Sequence, residues 1–113
     1  MSANDIPESV FEAFHLMWGN FPAEATLVRK SREVVAVNKA MAAKGSIKPG
    51  MFCSKTGSPD DHKGCKANKA LAACQSEHTY FMAGEHPSVA FWVPLEGSNE
   101  LFVHFMVNSG KFK

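Results

Sequence analysis

Cys53, His62 and Cys65 gather the reactive side chains of this chain into one tract, MFCSKTGSPDDHKGC, residues 51 to 65. His62 follows Cys53 by nine positions, and Cys65 follows His62 by three. Thiolate and neutral imidazole are good ligands for zinc and ferrous iron, and the two-residue spacer lets His62 and Cys65 converge on one ion. Cys74 or His78 would complete four ligands, although Cys74 stands about two and a half helical turns beyond Cys65. A second Cys-x-x-Cys unit is absent. Two further readings stand beside the metal site. Cys65 opens a helix, where the N-terminal partial charge together with Lys63 and Lys66 favours the thiolate and reversible oxidation. Alternatively, Cys53 and Cys74 are small apolar core residues. Residue types and spacing do not choose among the three.

Nucleophilic catalysis has less behind it. No orienting carboxylate accompanies Cys65 and His62, because Asp60 and Asp61 fall in a loop. There is no P-loop, Rossmann glycine pattern or HExxH helix. The expectation is a protein that is not an enzyme.

With 113 residues the chain forms one domain with a modest core. Apolar residues make up 45% and charged residues 20%, the composition of a folded protein. A formal charge of +1 gives no electrostatic case for nucleic acid or an anionic membrane, and the basic residues are dispersed. No apolar run reaches membrane-spanning length, and MSANDIPES lacks the positive charge of a signal peptide. The three cysteines are odd in number, which suits a reducing compartment and predicts a cytoplasmic location.

Periodicity lays out the elements that must position these side chains. Asp5 with Glu8 predicts a capping box, with Pro7 in the first turn. The helix that follows carries Ile6, Val10, Phe11, Phe14 and Met17 on one side and stops at Gly19. Residues 25–30 and 33–37 predict a hairpin around Ser31 and Arg32, which fit no standard two-residue turn. Asn38 caps a short helix that Gly45 terminates. Residues 46–61 are a loop with prolines and glycines. Ala67, Ala70, Leu71 and Cys74 mark a helix over 66–75, with Lys63, Lys66 and Lys69 on a solvated face or a small anion patch.

Three strands, 77–83, 88–95 and 100–108, close the chain, separated by EHP and EGSN. The last strand is apolar on both faces, so both must be covered. One side meets the core; the other needs the N-terminal helix or a second subunit, which is the argument for a homodimer. Met41, Phe52, Leu71, Tyr80, Met82, Phe91, Trp92 and Phe105 supply the large or adaptable apolar surface that lines a pocket or fills a core.

This order of helix, two strands, short helices, longer helix and three strands resembles the PAS domain. Residues 34–45, VVAVNKAMAAKG, are similar to the second PAS strand and its helix, with Asn38 at the common asparagine and Gly45 at the usual glycine. Residues 91–110, FWVPLEGSNELFVHFMVNSG, resemble the last two PAS strands, including Pro94 before a short turn. Between them, Gly50, Cys53 and Cys65 resemble a PAS subgroup with a cysteine-containing segment before the long helix. There His62 stands where a cysteine would be, and Lys66 where proline is often found. The resemblance spans about residues 6 to 110.

It implies an α+β fold, a PAS-like five-stranded antiparallel sheet with helices on one face and an N-terminal cap helix over residues 1–20. The PAS-like sensory domain would occupy 21–110 and a tail 111–113. The eight apolar residues above would then line an internal pocket for a small ligand or cofactor. The cap helix and Phe102, His104 and Met106, placed on the sheet's outer face, would contact a dimer partner. Haem requires His62, His78 or His104 to point inward, while His15 and His86 read as exposed. Flavin is weaker, because GCKANKAL does not reproduce the photosensory motif. The implied function is a sensory, signal-transduction module acting on an output domain or partner protein. A metal- or thiol-based redox sensor using Cys53, His62 and Cys65 is the alternative, and a purely structural dimerisation module the third reading.

Overall fold

Pro7 fixes the entry to the first helix, with φ −56° and ψ 141° at the N-cap and no side-chain cap. The computed structural model describes residues 6–52, 65–96 and 98–108. Asp5, expected to open a capping box, lies outside them. Pro7 is itself the cap, its carbonyl accepting the Val10 N–H at 3.0 Å. Helix α1 (Glu8–Trp18) then lays Ile6, Val10, Phe14 and Trp18, four residues apart, along one buried stripe. Met17, expected on that stripe, is 77% exposed. The four-residue step from Phe14 lands on Trp18, and Met17 falls to the side. Gly19 ends the helix by donating to the His15 carbonyl, against which a Cβ at this position would collide.

Strands β1 (Ala25–Arg29) and β2 (Val34–Val37) form the expected hairpin. Its loop resolves the turn that Ser31 and Arg32 left open. Arg32 adopts φ 81° and donates its N–H to the Arg29 carbonyl at 2.8 Å, the pattern of a three-residue loop with a left-handed closing residue. Helix α2 (Lys39–Lys44) is capped by Asn38 and ends at Gly45 in the left-handed region, as the sequence predicts. Helix α3 (Ala67–Ala73) buries Ala67, Ala70 and Leu71, but Cys74 is exposed and forms its C-cap with φ 52°.

Strands β3 (Glu77–Ala83), β4 (His86–Pro94) and β5 (Leu101–Asn108) complete a five-stranded antiparallel sheet of order β2-β1-β5-β4-β3. The β3–β4 turn is shorter than expected. Gly84 and Glu85 alone form it, with Gly84 at φ 61°, and His86 and Pro87 belong to β4. Among the described residues, both prolines of β4 are placed where they cost no ladder bond. The Leu95 N–H donates to Leu101, so odd residues of β4 bond β5 and even residues face β3. Pro87 lies beyond the last β4–β5 pair, and Pro94 beyond the start of β3.

The sheet separates two cores. On one face Val28, Val34, Ala90, Trp92 and Phe102 pack against Ala67, Ala70 and Leu71 of α3. On the other, Ala25, Leu27, Val35 and Val103 meet Ile6 and Phe14, with Trp18, Phe21 and Phe105 alongside. Phe102 and Leu27, each 1% exposed, are anchors of the two sides, each contributing roughly 1.5–3 kcal/mol by burial. The helices therefore divide: α3 covers the inner face and α1 the outer. This corrects the assignment of β5. Phe102 and His104 lie on the α3 face, and Leu101, Val103 and Phe105 carry the outer one. Alternation alone is symmetric between two apolar faces and cannot say which side receives which helix. Among the described residues, no helix is long and apolar enough to cross a membrane.

Candidate functional site

The eight apolar residues expected around one pocket are divided by the sheet. Met41, Leu71 and Trp92 are buried, the last two in the inner core. Phe91 and Phe105 stack on the outer face, centroids 4.9 Å apart at 14°. Tyr80 pairs with Val89 and Met82 with Pro87, and both are largely exposed. Phe52 is 37% exposed and forms an isolated bridge with Glu33. The outer aromatics form a chain of their own, from Trp18 and Phe21 through Phe105 and Phe91 to His78 and Tyr80. An apolar groove of about 220 Å³ runs under α1, between Phe14 and Trp18 on the helix and Leu27 and Val103 on the sheet.

Of the expected metal ligands, Cys53 and His62 lie outside the described residues. Cys65 is exposed just before α3. Cys74 is at the far end of that helix, its Sγ 3.7 Å from the carbonyls of Leu71 and Ser98. His78 lies on the outer face, its ring against Tyr80 and Phe91. Among the described residues no group of three His, Cys, Asp or Glu side chains converges on one point. The lysine face is tied down in part: Lys66 Nζ donates to the His78 carbonyl at 3.0 Å, and Lys69 lies 3.9 Å from Glu77.

The inner face has a polar centre that the alternation of β5 concealed. His104 sits between Thr26 on β1 and Trp92 on β4. Its ring stacks on Trp92, centroids 5.0 Å apart at 15°. Nδ1 lies 2.8 Å from the Phe91 carbonyl. A carbonyl only accepts, so Nδ1 carries the proton and Nε2 presents a lone pair. Burial lowers the pKa of this imidazole and outweighs the opposing pull of the Phe91 carbonyl, so the neutral form is favoured. The result is an oriented acceptor stacked on Trp92 and flanked by Thr26. Such a group can accept a hydrogen bond from a bound molecule or ligate a metal centre.

Asn38 positions the surrounding elements. It is 1% exposed and uses its whole amide. Oδ1 accepts from the Ala25 and Met41 N–H groups, while Nδ2 donates to the carbonyls of Trp18, Phe21 and Ala23. The sequence identified its capping role. Its hold on the end of α1 and the start of β1 comes from partners distant along the chain. Arg32 makes a comparable link on the other side, donating to the Lys30 carbonyl and Asn68 Oδ1 while lying 5.7 Å over the Phe102 ring.

No family model and no curated protein matches the chain. Its structural neighbours are consistent with one another. It is similar to the PAS domain of BvgS from Bordetella pertussis, with a TM-score of 0.66, 10% identity and coverage of 89% of this chain and 87% of that one. A sensory box sensor histidine kinase from Vibrio cholerae gives 0.63, 15% identity, and coverage of 96% and 95%. A domain of an HTR-like protein from Haloarcula marismortui gives 0.60, 16% identity, and coverage of 78% and 98%. The chain has a PAS-like α+β fold. At these identities the likeness is one of fold.

Proposed function

We propose that this chain is a sensory or regulatory module of signal transduction, which binds a small molecule on the α3 face of the sheet and acts through a partner. The fold supports the signalling part, because neighbours covering most of the chain include a sensor histidine kinase. The single observation that carries the ligand part is His104, whose fixed Nε2 acceptor lies beside Trp92 on the helix-lined face. Sites of this kind combine apolar walls with a few placed polar groups. Leu71 and Trp92 supply the walls in this reading. Occupancy would shift the packing of α3 against the sheet, and the change would pass to a second copy or to an output domain. The chain itself performs no catalysis.

Dimerisation belongs to the same reading. Leu16 and Met17 on α1, and Tyr80 and Met82 on the sheet, are exposed large apolar side chains available to a second copy.

Native mass spectrometry of protein purified without oxygen or chelator tests both parts. A mass excess that is present in the wild type and absent from His104→Phe supports the site. An excess of zinc or iron that survives His104→Phe but is lost with Cys65→Ser would instead favour the redox-sensor reading built on Cys53, His62 and Cys65. A bare polypeptide mass, with no spectral change on screening small molecules by NMR, would count against a ligand-binding module.

A further inference from the structure

The two edges of the sheet differ. On β2 the Val34 N–H donates to the Met51 carbonyl at 2.8 Å, and the Val34 carbonyl accepts from Gly50 at 2.7 Å. The chain itself covers that edge. At the other end, among the described residues, β3 pairs with β4 alone. Unpaired edges are usually guarded by proline, lysine or a bulge. The strand EHTYFMA has no proline or lysine, and its seven-residue ladder to β4 runs without a register shift.

Which backbone groups face outward follows from the turn. A two-residue loop makes Ala83 and His86 a hydrogen-bonded pair, and such pairs alternate along an antiparallel ladder. Phe81, Thr79 and Glu77 therefore bond β4, as the parity set by Leu95 and Leu101 also requires. His78, Tyr80 and Met82 direct their N–H and carbonyl groups away from the sheet. Lys66 Nζ occupies the His78 carbonyl. Among the described residues nothing caps the outward groups of Tyr80 and Met82, whose side chains are 77% and 60% exposed.

We propose that β3 is the pairing edge for a second copy of this chain, aligned antiparallel with Tyr80 opposite its own counterpart and His78 opposite Met82. This rests on the dimerisation part of the proposed function and gives it a geometry. The strand is self-complementary in this register. Every outward-facing residue meets an outward-facing one, so each pair exchanges two hydrogen bonds. The two tyrosines pair on the outer face, and Glu77, the strand's one charged residue, falls opposite Ala83, so no like charges meet. An unrelated extended peptide would fill the same backbone positions but has no reason to satisfy this symmetry. Lys66 acts as the guard, since pairing requires it to release the His78 carbonyl.

The test is sedimentation of the full chain from micromolar to millimolar concentration, with amide hydrogen exchange read residue by residue. The expected result is a dimer in which the Tyr80 and Met82 amides gain protection as concentration rises. Tyr80→Pro removes an outward N–H and no intrachain ladder bond, so it should be a folded monomer. Tyr80→Lys, which needs no backbone adjustment, should be monomeric too. Lys66→Met should tighten the dimer by roughly ten- to a hundred-fold, the value of two competing hydrogen bonds, one from each copy. A dimer that persists in both Tyr80 variants, with the Tyr80 and Met82 amides of the wild type unprotected, would overturn the edge pairing and leave dimerisation through α1 and the outer face standing. A wild-type chain that stays monomeric throughout would overturn both.

Discussion

The side chain of Asn38 accepts the backbone N–H of Ala25 at 3.0 Å, joining the cap of α2 to the first residue of β1. The same amide holds the three carbonyls of Trp18, Phe21 and Ala23, so the end of α1, its linker and the hairpin share one anchor. Replacing it with leucine removes a helix cap, worth about 1 kcal/mol, and strands buried polar groups at about 1–3 kcal/mol. Asn38→Leu should lose roughly 2–4 kcal/mol in urea unfolding. Asn38→Asp should not rescue it, because a carboxylate cannot donate to the three carbonyls. Equal stability of the aspartate variant and the wild type would contradict this account.

His104 predicts a pH dependence with a definite sign. Its folded pKa is lowered by burial, so between the unfolded value and the lower folded one the unfolded chain binds more protons. The contribution of neutral His104 is complete above the unfolded pKa and is lost as pH falls through the folded value. Glu77, which pairs with Trp92 across the ladder, lies 3.9 Å from Lys69, and Arg32 stands over Phe102 on the same face. Chemical unfolding between pH 8 and pH 4 should show stability declining on the acid side more steeply in the wild type than in His104→Phe. In NMR, the His104 Nδ1–H tautomer should persist below the pH at which exposed histidines have protonated.

Phe105 joins α1 to the sheet. Its ring lies 5.0 Å from Trp18, 5.3 Å from Phe21 and 4.9 Å from Phe91. Phe105→Ala removes the middle of this chain and should cost about 3 kcal/mol. Because Trp18 loses its sheet-side neighbour, its fluorescence should shift to the red while Trp92, on the opposite face, reports no change. Trp18→Phe in the same background separates the two signals.

Among the described residues, two other than glycine occupy the left-handed region, and their variants should behave differently. Cys74, φ 52°, contributes only Sγ contacts at 3.7 Å, so Cys74→Gly relieves backbone strain at little loss. It should gain about 0.5–1 kcal/mol and raise the melting temperature. Arg32, φ 81°, spends its side chain on Lys30, Asn68 and Phe102. Arg32→Gly should therefore show no such gain in the same thermal melt.

Much of the architecture was legible in the sequence for local reasons. Asn38 and Gly45 mark the ends of α2 through capping chemistry, and the alternation of Val89 to Leu95 and Leu101 to Val107 marks two strands through the two-residue period. The PAS-like order of elements follows from these. The turn at Arg32 was not legible, because its left-handed backbone is sustained by partners at Asn68 and Phe102, far along the chain. The division of the eight apolar residues was hidden for a related reason. Strand periodicity groups residues by side but carries no label for the side, and only the docking of α1 against Leu27 and Val103 and of α3 against Phe102 and Trp92 supplies one. His104 and Asn38 illustrate the same limit. Their residue types and local positions were fixed by sequence, but Phe91 and Trp92 make one an oriented acceptor, and Ala25, Trp18 and Ala23 make the other an anchor. Those partners are assembled by strand pairing and burial across long separations, which local propensity does not encode.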